Sequence, residues 1–207
     1  MITKITQSYK IYLAIFLMVI STSTSGKSYQ SDIVTLGSPT GNYNFVYLGG
    51  LIDSFDSELE ISHRNILDKI GKELNIKFLV PVPKNRSARF SNKLHWPQDD
   101  EFVILDTFNK IMSELEGTKI GGWIGFSNGG YFLQELLHYN SLDLPIITIG
   151  AAGRMDHQTQ INILIGKDDT HAYDRAKNFG YKFIEYDGSH EIEYSSLKNL
   201  LTVILKK

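Results

Sequence analysis

The chain has 207 residues, with 21 basic and 23 acidic side chains and a formal net charge of −2. Its 42% hydrophobic and 21% charged residues are ordinary for one globular domain with a sizeable core. No cluster of basic residues supplies the electrostatic footprint of nucleic-acid binding, and the absence of cysteine excludes disulfides and thiolate metal sites.

Residues 1–25 have the pattern of a secretory signal peptide. Lys4 and Lys10 precede an apolar run at 11–20, and small residues follow at 21–26. The run is shorter than the ~20 residues that a membrane-spanning helix needs. We therefore expect cleavage near residue 26, export to the periplasm or beyond the cell, and no stable membrane insertion afterwards. An uncleaved anchor is the alternative.

From residue 33 onwards, apolar strand patterns alternate with helical ones. Strands are predicted at 33–36, 43–48, 76–82, up to 126, 145–149, 161–165 and 181–186. Helices are predicted at 57–74, 98–116, directly after the turn at 127, 171–179 and 191–205. This alternation predicts an α/β fold, a three-layer sandwich over residues 26–207 with a mostly parallel sheet between helices.

Two connections are long enough to be considered for a lid, that is, a segment that covers a binding site. Residues 150–160 have no apolar helical pattern, and the irregular segment 85–97 is mostly basic and polar. We therefore expect a compact domain without a lid domain.

One stretch combines the end of a strand, a tight turn and the start of a helix. Residues 125–129 read G-F-S-N-G, with apolar positions at helical spacing after them. This G-x-S-x-G pattern is typical of a nucleophile elbow, in which a strained turn lifts the Ser127 hydroxyl above the sheet. The turn also directs the backbone N–H of Asn128 towards the same place. Alone the pattern is a weak signal, because small residues cluster in any glycine-rich loop.

Other polar groups follow in an order that strengthens this interpretation. Asp168 and Asp169 end one predicted strand, and His190 follows the last strand. The chain order Ser, Asp, His is that of the α/β-hydrolases. The two adjacent aspartates cannot be separated by sequence, since one of them could cap the helix that follows.

Four short motifs resemble the carboxylesterase, acyl-protein-thioesterase and dienelactone-hydrolase branch of the α/β-hydrolases. They are Y-L-G-G-L-I-D at 47–53, G-F-S-N-G-G at 125–130, G-K-D-D at 166–169 and G-S-H at 188–190. The elbow is also similar to those of secreted polyhydroxyalkanoate depolymerases and feruloyl esterases. In one respect the chain departs from the family, because Gly49 stands where the family has the histidine of a His-Gly pair.

The resemblance implies a role for each matching residue. Ser127 would be the nucleophile, Asp169 the acid and His190 the base, and the N–H groups of Leu51 and Asn128 would form the oxyanion hole. It implies neither a metal nor a cofactor. The expected partner is a small-molecule ester, and the oligomeric state is left open.

The expected function is that of a secreted serine hydrolase acting on small or medium acyl esters or thioesters. A serine peptidase on the same fold and a non-catalytic binding protein with the hydrolase fold are the alternatives. His95 and Trp96 are candidates for the wall of the substrate pocket. The alternative for these two residues is that the 85–97 loop packs its own apolar side chains.

Overall fold

The strand patterns form a seven-stranded sheet in the computed structural model, which describes residues 32–153 and 161–206. The nine strands in this part of the chain are β1 (Ile33–Gly37), β2 (Tyr43–Leu48), β3 (Ile76–Pro81), β4 (Asn85–Arg86), β5 (Leu94–His95), β6 (Ile120–Phe126), β7 (Ile146–Ile149), β8 (Ile161–Gly166) and β9 (Ile184–Tyr186). The sheet order is β1-β3-β2-β6-β7-β8-β9, and β4 and β5 form a separate antiparallel pair. Every neighbouring pair in the large sheet is parallel except β1 with β3.

Within the described residues, five helices cover the two faces of this sheet. They are α1 (Glu58–Leu74), α2 (Glu101–Glu114), α3 (Asn128–Tyr139), α4 (Thr170–Asn178) and α5 (Tyr194–Ile204). Buried side chains of α1 and α5 share one apolar cluster, and those of α2, α3 and α4 share the other. This arrangement confirms the predicted mostly parallel α/β sandwich.

Strand β2 shows how the sequence pattern produces two cores. Successive side chains of a strand point to opposite faces of the sheet. Phe45 and Tyr47 accordingly join the cluster with α1, while Val46 and Leu48 join the cluster with α2 and α3. All four are 0–1% exposed, and each buried side chain of this size contributes about 1.5–3 kcal/mol.

Several predicted boundaries shift by a few residues. Helix α2 begins at Glu101 rather than 98, because the Asp100 side chain accepts a hydrogen bond from the Val103 N–H at 3.1 Å and caps the helix there. The last strand, predicted at 181–186, is limited to Ile184–Tyr186. Tyr181 lies before it and donates its hydroxyl to the Gly153 carbonyl at 3.0 Å.

The segment at 85–97, predicted as irregular, contains the β4–β5 pair and a short 3₁₀ turn at Ala88–Phe90. Leu94 exchanges backbone hydrogen bonds with Ile52, at 2.8 and 3.2 Å, so this segment is fastened to the loop that follows β2.

The connection at 150–160 lies outside the described residues from 154 onwards, so its predicted lack of a lid stays a prediction. None of the helices in the described ranges is long and apolar enough to cross a membrane. The predicted signal peptide also lies outside those ranges.

Because β2, β6, β7, β8 and β9 are parallel, their carboxyl ends meet at one edge of the sheet. In open α/β sheets, ligands bind at this edge. Leu51, Ser127, Asn128, Asp169 and His190 follow these strand ends and are thereby brought to the same side of the molecule.

Candidate active site

Ser127 occupies the turn between β6 and α3 with an unusual backbone conformation. Its φ is 50° and its ψ is −115°, a region that non-glycine residues rarely adopt. The turn is fixed by hydrogen bonds from the Ser127 N–H to the Ile149 carbonyl at 2.8 Å and from the Tyr131 N–H to the Ser127 carbonyl at 3.0 Å. A Cβ on Gly129 would lie 2.2 Å from the Leu48 carbonyl oxygen, which explains a glycine there. This is the geometry expected of a nucleophile elbow.

Asp169 and His190 are in direct contact. The Nδ1 atom of His190 lies 2.5 Å from Oδ2 of Asp169, whose side chain is 6% exposed against 44% for the histidine. The other carboxylate oxygen of Asp169 accepts the Ala172 N–H at 3.3 Å and caps α4. Asp169 therefore makes both contacts, the one with His190 and the one that caps the helix, while Asp168 is exposed. Since a carboxylate can only accept, Nδ1 carries a proton and Nε2 is left to act as a base.

The His190 ring lies over the ends of β6 and β7, beside the elbow. Its centroid is 5.0 Å from that of Phe126, the residue before Ser127. A Cβ on Gly150 would lie 2.9 Å from both Nδ1 and Cε1 of His190, so the chain after β7 packs against the ring.

Tyr186 holds the turn that carries His190, a role that the sequence did not reveal. Its hydroxyl donates to the carbonyl of Glu191 at 2.5 Å and lies 3.3 Å from that of Ser189. Burial, followed by the charge of Asp169, raises the pKa of Tyr186 well above its usual value, so the hydroxyl keeps its proton. A tyrosine at the end of a final strand was the available signal, but its partners lie in a turn whose shape the sequence does not specify.

The two N–H groups predicted for the oxyanion hole are free donors. Within the described parts of the chain, the backbone N–H groups of Leu51 and Asn128 donate to no group, whereas those of Ile52 and Gly129 are bonded to carbonyls. Asn128 is 3% exposed. Since buried N–H groups are nearly always paired, unpaired donors beside a strained serine suit the binding of an oxygen anion.

Trp96 and Asn128 fasten the 85–97 segment to the elbow. The Trp96 N–H donates to the Asn128 Oδ1 at 2.6 Å, and the Asn128 Nδ2 donates back to the Trp96 carbonyl at 3.3 Å. The indole Nε1 donates to the Gly49 carbonyl at 3.0 Å. Trp96 is 2% and His95 8% exposed, and His95 packs against Phe90. Substrate contact by these two residues stays a prediction, and their burial favours the alternative that the loop packs on itself.

Three buried polar side chains without a predicted role lie behind the site. They are Tyr47 of β2 and Glu60 and His63 of α1. The His63 ring contacts Phe126 edge-on, with centroids 4.5 Å apart, and its Nδ1 lies 3.4 Å from the Tyr47 hydroxyl. Burial, followed by repulsion from His190, lowers the pKa of His63 to about 4, so the ring is neutral. For Glu60 and His63, the signal available in the sequence was their i, i+3 spacing on the apolar face of α1.

Among the described residues, no group of three or more His, Asp or Glu side chains is placed to hold a metal ion. The arrangement contains the groups that activation of a serine requires. It combines a hydroxyl at a strained turn, an imidazole oriented by a carboxylate, and two free N–H donors.

No family model matches the sequence, and no curated protein matches it. Among solved structures, the chain is similar to Zea mays acyl-protein thioesterase 2, at 18% identity and a TM-score of 0.60, covering 85% of this chain and 100% of that one. It is similar to a dienelactone hydrolase from Anabaena variabilis, at 11% identity and a TM-score of 0.55, covering 84% and 90%. It is also similar to a Xanthomonas campestris serine hydrolase described as lacking a lid, at 15% identity and a TM-score of 0.52, covering 84% and 87%.

Each of these likenesses extends over more than four fifths of this chain. They bear on architecture, and the fold predicted from the four sequence motifs is confirmed. The chain has the α/β-hydrolase fold.

Proposed function

We propose that this chain is a serine hydrolase that cleaves small or medium acyl esters or thioesters. The observation that carries the proposal is the contact of His190 with Asp169 at the same edge of the sheet as the strained turn of Ser127. The similar solved structures that are described as a thioesterase, a dienelactone hydrolase and a serine hydrolase support it.

The proposed reaction has two stages. His190 Nε2 takes the proton of the Ser127 hydroxyl as Oγ attacks the acyl carbonyl carbon, and the N–H groups of Leu51 and Asn128 stabilise the oxygen anion. The leaving alcohol or thiol takes the proton from His190 as its bond to the acyl carbon breaks. Water then attacks the acyl-serine with the same histidine as base, which releases the acid and restores Ser127.

The test is covalent labelling of the protein by a fluorophosphonate probe, together with turnover of chromogenic esters of increasing acyl length. We expect Ser127→Ala to abolish labelling and to lower turnover by several orders of magnitude, because only binding and the oxyanion hole remain. The variant should unfold at nearly the wild-type temperature, since the hydroxyl packs little at the apex of a turn.

Three outcomes would change the assignment. Wild-type labelling without ester turnover, but with cleavage of peptide amides, would favour the serine peptidase. Absence of labelling and of turnover would favour a non-catalytic binding protein. Near-normal turnover in Ser127→Ala would contradict the nucleophile itself.

We also propose that residues 1–25 are a signal peptide that is removed on export to the periplasm or the exterior. The support is the sequence pattern alone. Sequencing the amino terminus of the exported protein should find a start near Gly26. An intact Met1 on a membrane-bound protein would contradict cleavage.

A further inference from the structure

Glu60 is a buried carboxyl group that the proposed reaction does not use. It lies in the first turn of α1, where acidic side chains are usually exposed, yet it is only 2% exposed. Its carboxyl group lies against Gly49. A Cβ built on Gly49 would be 3.1 Å from Oε2 and 3.4 Å from Oε1 of Glu60. The carboxyl group therefore occupies the space that a side chain at position 49 would need.

Gly49 opens the loop that leads to the predicted donor at Leu51. Its carbonyl accepts two hydrogen bonds at 3.0 Å, one from the Gly129 N–H of the elbow helix and one from the indole of Trp96. The loop is thus held to the elbow on one side and supported by Glu60 on the other. A change at Glu60 acts directly on the backbone that presents the oxyanion donor.

The groups that face Glu60 compensate a charge on it only in part. Arg64, one turn along α1, directs its guanidinium to the Phe55 carbonyl at 2.9 Å and to Asp56 at 3.5 Å. Tyr47 of β2 keeps its proton, because burial and then the charge of Glu60 raise the pKa of its hydroxyl well above the usual value.

Desolvation raises the pKa of Glu60 from 4.5 to about 7, against a weaker lowering by Arg64. His63 on the same helix is neutral, as described above. The environment around Glu60 therefore favours an uncharged carboxyl group.

We propose that Glu60 is a positioning residue of the oxyanion loop, supporting the loop in its neutral form and slowing acyl transfer when it ionises. The inference rests on the proposed function. The transition state places negative charge on the substrate oxygen that the loop binds. A carboxylate beside that loop, in a site of low dielectric, opposes this charge, and its burial leaves it without hydration.

The experiment is the pH profile of kcat/KM for p-nitrophenyl acetate between pH 5 and 9. Three proteins are compared: the wild type, Glu60→Gln and Glu58→Gln. Glutamine keeps the shape of the side chain but cannot ionise, and Glu58 is an exposed acid of the same helical turn. We expect wild-type kcat/KM to fall about tenfold as pH rises through 7 to 9. Glu60→Gln should keep its plateau to pH 9, and Glu58→Gln should follow the wild type.

An alkaline decline of the same size in Glu60→Gln would overturn the proposal and leave the proposed function intact, as would a wild type that shows no decline. A wild type that hydrolyses no ester at any pH would instead remove the proposed function, and this inference with it. The two failures are therefore distinct.

A second pair of variants keeps the proposal testable if Glu60→Gln does not fold. Gly49→Ala adds a methyl group against the carboxyl group and should lower kcat at pH 6 with little change in KM. In Gly49→Ala combined with Glu60→Ala, the added methyl group has room and takes the place of the carboxyl group against the loop, so activity should recover. If the double variant is as slow as Gly49→Ala alone, the loop does not depend on Glu60 and the proposal is wrong.

Discussion

Asp169 uses its two carboxylate oxygens for different tasks, one towards His190 at 2.5 Å and one towards the Ala172 N–H at 3.3 Å. Asparagine can keep the helix cap through its carbonyl oxygen, but its amide group can hold the imidazole in the wrong tautomer. We expect Asp169→Asn to lower kcat by about 10⁴-fold, as for the equivalent change in a serine protease, with little change in melting temperature. Ester turnover and thermal unfolding measure the two effects.

The neighbouring acid supplies the control. Asp168 is exposed, and its backbone N–H is bonded to the Gly188 carbonyl at 2.9 Å, a contact that a side-chain change leaves in place. Asp168→Asn should therefore retain near-normal turnover. A severe loss there, with a mild one at Asp169, would contradict the observed pairing.

Gly150 offers a second test at the scale of one residue. Its φ is +60°, and an added Cβ would lie 2.9 Å from two atoms of the His190 ring. Gly117 has a similar φ of +77° but nothing within 4 Å of its Cβ position. Both alanine variants should lose about 1 kcal/mol of stability from the backbone conformation. Only Gly150→Ala should also lose most of its kcat, because it displaces the imidazole. Equal activities would show that the ring tolerates movement.

At the scale of one element, helix α1 buries two titratable groups with opposite effects on stability. The pKa of Glu60 is raised from 4.5 to about 7, so its contribution to stability is fully present below pH 4.5 and is lost as pH rises through 7. The pKa of His63 is lowered from 6.5 to about 4, so its contribution is present above pH 6.5 and is lost as pH falls through 4.

Urea titration at a series of pH values measures these effects as changes in the free energy of unfolding. Between pH 4.5 and pH 7, Glu60→Gln should gain about 3 kcal/mol of stability relative to the wild type, since Glu60 ionises in the unfolded chain but keeps its proton in the folded one, and glutamine does neither. Glu58→Gln should show no such trend. A constant difference between Glu60→Gln and the wild type across this range would mean that the carboxylate finds compensation in the folded state.

The order of strands and helices could be predicted because each element carries its own period of apolar residues. The strand at 43–48 was predicted with its observed boundaries, and α1 within one residue. Local patterns carry no information about which distant residues pair. The antiparallel direction of β1 and the bonds between Trp96 and Asn128 join residues that are far apart in sequence.

The residues of the candidate site also fall into those that a local pattern reveals and those that depend on distant contacts. Ser127, Asp169 and His190 could be named because each follows a recognisable strand end. Glu60 was not singled out, since an acid in the first turn of a helix usually has a simpler explanation as a partner of the helix dipole. Its significance depends on a contact with Gly49, which no local pattern encodes.

At the scale of the whole molecule, the site is open to solvent in the part of the chain that the structure describes. The His190 side chain is 44% exposed although it lies over the ends of β6 and β7. Hydrogen bonds to Ile52 and Asn128 hold the 85–97 segment in place beside the site. Activation at a lipid surface requires a closed and an open state that differ in their affinity for that surface. A protein without a movable cover has no closed state and cannot be activated in this way.

We therefore expect ordinary saturation kinetics on short, dispersed acyl esters. The measurement is the rate of hydrolysis of one ester as its concentration is taken through its solubility limit. Because the site is already accessible, the rate should level off smoothly, and droplets or micelles should add nothing beyond the dissolved substrate. Ser127→Ala, measured over the same range, corrects for hydrolysis at the droplet surface. A steep rise that coincides with the appearance of aggregates in the wild type alone would contradict the open site and would locate a cover outside the described residues.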